Sequence, residues 1–171
     1  RLPLEREQMS TRATIQVKGV EESISIYKHH DGYVKNGLGE YLGIFMSHAE
    51  SSKNTFGSIA RMQPTSFPSR FSAWGLQQFG SQAYLHELQV IALETNCNVE
   101  QDTYMRHGDT EYHYTIENGK LFVQVRDWDN MEQNGDKHWT LFAPKVELLN
   151  VREKDYSMIK FQKTIESLTS A

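Results

Sequence analysis

The chain has 171 residues, 38% hydrophobic and 23% charged, which is enough for one buried core and close to the usual size of one domain. Its formal net charge of −4 disfavours nucleic-acid binding, because nucleic-acid binders usually carry a net basic face. No apolar run approaches the roughly 18 residues of a membrane span, and the single cysteine, Cys97, excludes an internal disulfide framework, so we expect a cytoplasmic protein without a membrane partner.

The first eight residues are rich in charge and precede a Met-Ser-Thr-Arg run that begins at Met9. We interpret Met9 as the natural start and residues 1–8 as an upstream extension or a cloning remnant, the alternative being a disordered arm. Residues 9–171 are then expected to form a single globular domain, because no repeat, low-complexity tract or obvious linker divides them.

Alternation of apolar residues predicts a first β-hairpin, in which Val17 lies opposite Ile24 and Ile15 opposite Ile26 on one core-facing side. The turn dipeptide Asp31-Gly32 ends its second strand. A helix is predicted next, because four apolar residues follow at helical spacing: Leu38, Tyr41, Leu42 and Phe45.

The middle of the chain, from Ser51 to Gly80, is its least regular part, and we interpret it as a loop with a short helical turn near Arg70 to Gln78. Ser81 to Glu94 is predicted as a second helix, in which Ser81 is the cap. The apolar stripe of that helix comprises four residues: Leu85, Leu88, Ile91 and Ala92.

The C-terminal half contains the clearest hairpin of the sequence, closed by Asn118-Gly119, a dipeptide typical of a type I′ turn. The face predicted to be buried holds three opposed pairs: Ile116 with Leu121, Tyr114 with Val123, and Tyr112 with Val125. His113 lies opposite Gln124 on the other face, and in the simplest interpretation it faces solvent. A further strand from His138 to Val146 and a last helix from about Arg152 to Leu168 complete the chain.

The order hairpin, helix, helix, hairpin, strand, helix predicts an α+β fold. We expect an antiparallel sheet of about five strands, built from the two hairpins, with about three helices packed on it.

The stretch from Tyr27 to Tyr33 concentrates titratable side chains at a predicted strand end, where small domains tend to place a site. His29, His30 and Asp31 could hold a divalent ion or act in acid–base catalysis, together with a distant group such as His113. Adjacent histidines on a strand point to opposite faces, so the two meet only if the strand has already ended. The alternative is a polar strand end that positions a turn, with Asp31 capping backbone amides.

Two further clusters carry weaker signals. His107 and Asp109 have the short H-x-D spacing of some metal sites, and the alternative is an ordinary loop before a hairpin. Asp127-Trp128-Asp129 could bind a cation or a sugar-like ligand, and the alternative is a turn rich in acceptors. The short motifs of phosphate loops, zinc proteases, serine hydrolases and CxxC redox proteins are absent, and no cofactor can be named.

Two parts of the sequence resemble a group of small phage and prophage proteins. Those proteins open with M-[SA]-T-R and carry a Y-x-H-W-D-G-Y-P segment, matched here by Met9 to Arg12 and by Tyr27 to Val34. The likeness covers about the first 45 residues and the run from His107 to Tyr114, and it departs at His30 and Val34, where the group has Trp and Pro. The resemblance implies a phage origin and a compact accessory domain, and it carries no catalytic residue across.

Two functions remain open. The first is a phage accessory protein that binds and modulates a host protein, such as a component of host defence, in the infected bacterium. Four aromatic residues are its candidate contacts: Tyr27, Tyr33, Trp74 and Trp128. The second is a small metal- or nucleotide-binding hydrolase that uses His29, His30 and Asp31. We favour the first because no cluster has a complete ligand set; a homo-oligomer is compatible with either.

Overall fold

The computed structural model describes residues 11–51, 62–94, 110–126 and 142–169. These residues form an α+β fold with one six-stranded sheet and three helices. The strands are β1 (Arg12–Lys18), β2 (Ser23–Lys28), β3 (Leu88–Glu94), β4 (Thr110–Glu117), β5 (Lys120–Val125) and β6 (Val146–Asn150). The helices are α1 (Leu38–Ser51), α2 (Phe67–Phe79) and α3 (Met158–Thr169), with 3₁₀ turns at Pro64–Ser66 and Gly80–Ala83.

The sheet is mixed, with the strand order β3-β2-β1-β4-β5-β6. The pairing registers of both predicted hairpins are confirmed, including the Val17–Ile24 pair in the first and the Tyr114–Val123 pair in the second. The expected burial of the second hairpin's face is wrong at Val125, which is 44% exposed. The two hairpins join through β1 and β4, which run parallel, so the expectation of an all-antiparallel sheet is wrong at this one pairing.

The predicted helix from Ser81 to Glu94 is wrong. A 3₁₀ turn occupies its start, and β3 pairs with β2 as the sixth strand. A short apolar run fits either structure, and here the β-branched Val90 and Ile91 lie in a strand that completes the edge of the sheet. Tyr84, with a left-handed φ of 55°, separates the 3₁₀ turn from the strand.

The remaining elements differ from expectation mainly in their limits. The short helical turn near Arg70 is a full helix of 13 residues, α2. The last helix begins at Met158 rather than near Arg152. The strand expected from His138 to Val146 instead starts at Val146, and residues 138–141 lie outside the described residues. Among the described helices, none is long and apolar enough to cross a membrane.

The core lies between the helices and the aliphatic face of the sheet. Ile15, Ile26 and Tyr114 of the sheet are fully buried there, as are Leu38 and Leu42 of α1. Helix α3 packs against α1 at Gly43, where an added Cβ would stand 2.1 Å from Cζ of Phe161. Only glycine permits this approach between the two helices.

The opposite face of the sheet is polar and buried, not solvated. Its central rows are less than 4% exposed although none of these residues is apolar: Thr14, Gln16, Ser23, Ser25, His113 and Thr115. His113, expected at the surface, is 1% exposed. The ring of Phe142 packs edge-on against it, with 6.4 Å between the ring centroids.

Candidate functional site at the end of strand β2

Strand β2 ends at Lys28, and a nine-residue turn, residues 29–37, leads into helix α1. Two of its residues, Asp31 and Asn36, have left-handed φ values of 56° and 57°. Aspartate and asparagine tolerate this conformation better than other residues with a side chain. The sequence therefore has suitable residues at the two positions where most other side chains would strain the backbone.

The turn is held by hydrogen bonds on both sides. The amide of Gly32 donates to the carbonyl of Thr11 at 2.8 Å, and the buried hydroxyl of Tyr114 donates to the carbonyl of Gly32 at 2.7 Å. The first amide of α1, that of Leu38, donates to the main-chain carbonyl of Asp31 at 2.8 Å. Asp31 thus supports the helix start, although through its backbone rather than through its carboxylate.

The carboxylate of Asp31 accepts a hydrogen bond from Tyr33 Oη at 2.9 Å. It also acts at longer range on Tyr41, whose pKa is raised first by burial and then by the negative charges of Asp31 and Glu40. A tyrosine with a raised pKa stays protonated at neutral pH. Tyr41 therefore stays neutral, and Tyr33 is the phenol that donates a hydrogen bond to the carboxylate.

Lys28 is fully buried at the base of the turn, because its position in β2 continues the core-facing parity of Ile24 and Ile26. Its ammonium group donates to the main-chain carbonyl of His30. Burial lowers the pKa of Lys28 to about 8, while the charges of Asp31 and Glu87 oppose that shift. Such a lysine could exchange protons near neutral pH, but with no exposed surface it supports the turn rather than reaching a ligand.

His30 connects the turn to the segment that precedes β3. Its Nδ1 lies 2.8 Å from a carboxylate oxygen of Glu87, and its ring stacks on Tyr84 with 4.8 Å between centroids. Both partners of the His30–Glu87 contact are about one-third exposed, so the pair contributes at most about 1 kcal/mol.

A continuous series of rings crosses this end of the sheet, and we call it the ring row. Its members follow one another at centroid distances of 6.1, 4.7, 4.8 and 6.4 Å in the order Tyr27, His29, His30, Tyr84 and His86. A hydrogen bond of 2.9 Å between Tyr27 Oη and His29 Nδ1 fixes its first step. Because β2 has already ended at Lys28, the two histidines meet edge-on instead of pointing to opposite faces.

His113 does not join His29. Strand β1 lies between their strands, and His113 instead has its Nδ1 2.8 Å from Thr14 Oγ1 and its Nε2 3.4 Å from Thr115 Oγ1. Burial, reinforced by the charges of Lys145 and Lys18, lowers the pKa of His113 to about 3. A neutral, enclosed imidazole of this kind orders the sheet and is not placed to act on a ligand held by the turn.

The other predicted site residues fall into two groups. Trp74 is 8% exposed and lies among Phe45, Phe71 and Phe79, so it belongs to the core and does not fit a surface contact. Three candidates, Trp128, His107 and Asp109, lie outside the described residues. No group of three or more histidine, cysteine, aspartate or glutamate side chains within the described ranges could hold a metal ion.

Four residues of the site escaped the sequence reasoning: Lys28, Tyr84, His86 and Glu87. The burial of Lys28 could have been predicted from the sequence, because positions 24, 26 and 28 share one face of β2. The other two residues on that face, Ile24 and Ile26, are buried. Tyr84, His86 and Glu87 could not be found, since the helix expected from Ser81 would have placed them away from the turn.

Comparison with family models, with characterised proteins and with solved structures finds no match for this chain.

Proposed function

We propose that the chain is a protein-binding module whose partner contacts the ring row. In line with the resemblance to small phage proteins, we propose further that the protein is a phage accessory factor and that the partner is a host protein, such as a component of bacterial defence. The observation that carries the first proposal is the series of five rings that contains the exposed, left-handed Tyr84.

The composition of the ring row suits a protein contact. Tyrosine supplies a large, rigid and amphipathic surface that loses little conformational entropy on binding, and it is enriched among the residues that dominate binding energies. Stacking on His30 already orders the ring of Tyr84, which is 39% exposed. A partner would therefore meet a preorganised surface.

Exposed apolar side chains lie on α2 and on the helical side of the edge strand. Phe79 and Leu76 of α2 are 37% and 43% exposed, and Val90 of β3, which pairs with Ile26, is 49% exposed. Phe79 also packs on Tyr41, at 4.8 Å between centroids, which connects it to the site. Exposed apolar side chains in contact with aromatic ones are typical of interaction surfaces.

The polar and ionic groups of the site favour binding over turnover. The buried ammonium group of Lys28 is held against a carbonyl, and the His30 imidazole is paired with Glu87. We therefore favour the binding module over the metal- or nucleotide-dependent hydrolase.

The test is affinity capture from a bacterial lysate with three variants compared with the wild-type chain. Tyr84→Asn removes the ring while keeping a residue that tolerates the left-handed backbone, and His30→Ala removes the next ring. Ile159→Asn is the matched control, because Ile159 is 72% exposed on α3, a helix that packs on α1 and β6 and not on the ring row.

We expect a stoichiometric bacterial protein to be retained by the wild-type chain and by Ile159→Asn, and to be weakened at least tenfold by Tyr84→Asn. Retention of the same protein by all variants would contradict the assignment of the ring row. A bound metal or nucleotide, detected by native mass spectrometry and lost in His29→Ala, would instead favour the hydrolase.

A further inference from the structure

A concave surface lies at the opposite end of the sheet from the ring row. Strand β2 separates the two ends by five residue steps, or roughly 17 Å. The groove lies between the turns of both hairpins and the 3₁₀ turn at Pro64, and its volume is about 640 Å³. This volume is within the range of about 300 to 1,000 Å³ that is usual for ligand-binding pockets.

The walls of this groove, which we call the turn groove, are fixed by the fold. In the first hairpin turn, the amide of Gly19 donates to the carbonyl of Glu22 at 2.8 Å. A Cβ on Gly19 would stand 2.8 Å from Cγ of Pro64, so the turn rests directly on the neighbouring wall. In the second, Gly119 has a φ of 79° and its carbonyl accepts from the amide of Val151 at 3.0 Å.

The charges that line the turn groove are mainly negative. Three glutamates contribute to the lining, against one lysine: Glu21, Glu22, Glu117 and Lys18. Arg152 stands outside the lining, where its guanidinium donates to the side-chain oxygen of Asn118. The groove therefore favours a cationic group over an anionic one.

Apolar side chains form another part of the lining, beside the polar Gln63 and Asn118. Met62 and Phe67 contribute to it from the α2 side, and Val20 contributes from the tip of the first turn. Val20 is 97% exposed, an unusual position for a valine within a hairpin turn that could hold a polar residue. Apolar surface next to carboxylates matches a ligand that has both an aliphatic and a basic part.

We propose that the turn groove binds a peptide segment of a partner protein that carries arginine or lysine next to a large aliphatic residue. The basic side chain would pair with the carboxylates of Glu21 and Glu117, and the aliphatic one would cover Val20. The turn groove is separate from the ring row. If peptide binding in the groove is disproved, the function proposed for the ring row is unaffected.

Nuclear magnetic resonance titration of the ¹⁵N-labelled full chain provides the test. The probe is the blocked tetrapeptide acetyl-Leu-Arg-Leu-Arg-amide, compared with acetyl-Leu-Gln-Leu-Gln-amide at the same concentrations. We expect saturable shifts of the Gly19, Val20 and Gly119 amides with the arginine peptide, and at least fivefold weaker binding of the glutamine peptide.

The double variant Glu21→Gln/Glu117→Gln should weaken binding of the arginine peptide at least fivefold. Both side chains are exposed at turns, so the variant should retain the dispersed amide spectrum of the wild-type chain. Glu166→Gln, on α3 away from the groove, is the control and should bind as the wild-type chain does.

Absence of shifts at the groove amides, equal shifts with the two peptides, or unchanged affinity of the double variant would each overturn the proposal. Line broadening at the same amides without added peptide, growing with protein concentration, would identify a second copy of the chain as the occupant and would also overturn it.

Discussion

Thr14 and His113 face each other across the only parallel pairing in the described sheet, with 2.8 Å between Thr14 Oγ1 and His113 Nδ1. Both side chains are almost completely buried. The contact ties the two hairpins together on the polar face, while the aliphatic face joins them through Ile15 and Tyr114, which are paired in the same register. The fold thus uses a hydrogen-bonded row on one side of the sheet and apolar packing on the other.

The burial of His113 predicts a loss of stability in mild acid. Its pKa is lowered to about 3 in the folded chain, against an ordinary value of about 6.5 in the unfolded chain. As pH falls below 6.5, the unfolded chain takes up a proton that the folded chain does not, so the free energy of unfolding decreases. Between pH 6 and 4 this residue should remove roughly 2 kcal/mol.

Urea denaturation of the wild-type chain and of His113→Gln at pH 4, 5 and 6 measures this effect. The other six histidines are common to both proteins, so the difference between the two pH profiles isolates His113. Parallel profiles would mean that His113 is protonated in the folded chain as readily as in the unfolded one.

Lys28 should titrate below the ordinary pKa of a lysine side chain. Burial lowers its pKa to about 8, so its ¹³Cε signal should shift with a midpoint near pH 8, whereas exposed lysines titrate near 10.4. Because the folded chain releases this proton first, the stability of the wild-type chain should rise relative to Lys28→Met by roughly 2 kcal/mol between pH 8 and 10. Lys28→Met also assigns the ¹³Cε signal of Lys28, because that signal is missing from the spectrum of the variant.

A midpoint near 10.4 for every lysine signal would show that Lys28 reaches water. The turn would then be more open than its hydrogen bonds to His30 and from Tyr114 indicate.

How much of the secondary structure the sequence predicts depends on the length of each hydrophobic pattern. The Tyr114–Val123 hairpin was predictable because turn chemistry and alternation agree at every pair. The segment after Gly80 was not, because a seven-residue apolar strand at a sheet edge has no pattern that excludes a helix.

The site was predictable only in its local part. The sequence places His29, His30 and Asp31 together at a strand end, and the structure keeps them there. The sequence does not predict the contact of His30 with Glu87, which lies 57 residues further along the chain. That contact depends on the position of β3 beside β2. The burial of His113 depends likewise on cover from distant residues such as Phe142.

The contact between α1 and α3 predicts a steric effect at Gly43. Gly43→Ala places a methyl group 2.1 Å from Cζ of Phe161, so the helices must separate or the ring must turn, at a cost of about 1–3 kcal/mol. This outweighs the gain of up to about 1 kcal/mol that alanine usually gives within a helix.

Thermal or urea denaturation of four proteins measures this effect: the wild-type chain, Gly43→Ala, Phe161→Leu and the double variant. The shorter side chain of leucine should relieve the clash, so Gly43→Ala should be less destabilising in the Phe161→Leu background. Equal effects of Gly43→Ala in both backgrounds would mean that the two residues do not interact.

The left-handed backbone of Tyr84 predicts an inverted order of two substitutions. Tyr84→Gly and Tyr84→Ala both remove the ring that stacks on His30, so they differ only in their backbone preference. At an ordinary position alanine would be the more stable, because glycine loses more conformational entropy on folding. At a φ of 55° alanine carries the steric penalty of the left-handed region, and Tyr84→Gly should be more stable by about 1 kcal/mol.

Chemical denaturation of the two variants decides the order. If Tyr84→Ala is equally stable or more stable, then the segment before β3 relaxes to an unstrained conformation and Tyr84 is not held in place. The inverted order would mean that the fold keeps a tyrosine in a conformation that glycine adopts more easily. The ring of Tyr84 stacks on His30 and is 39% exposed, and contact with a partner through the ring row is the role that we propose for it.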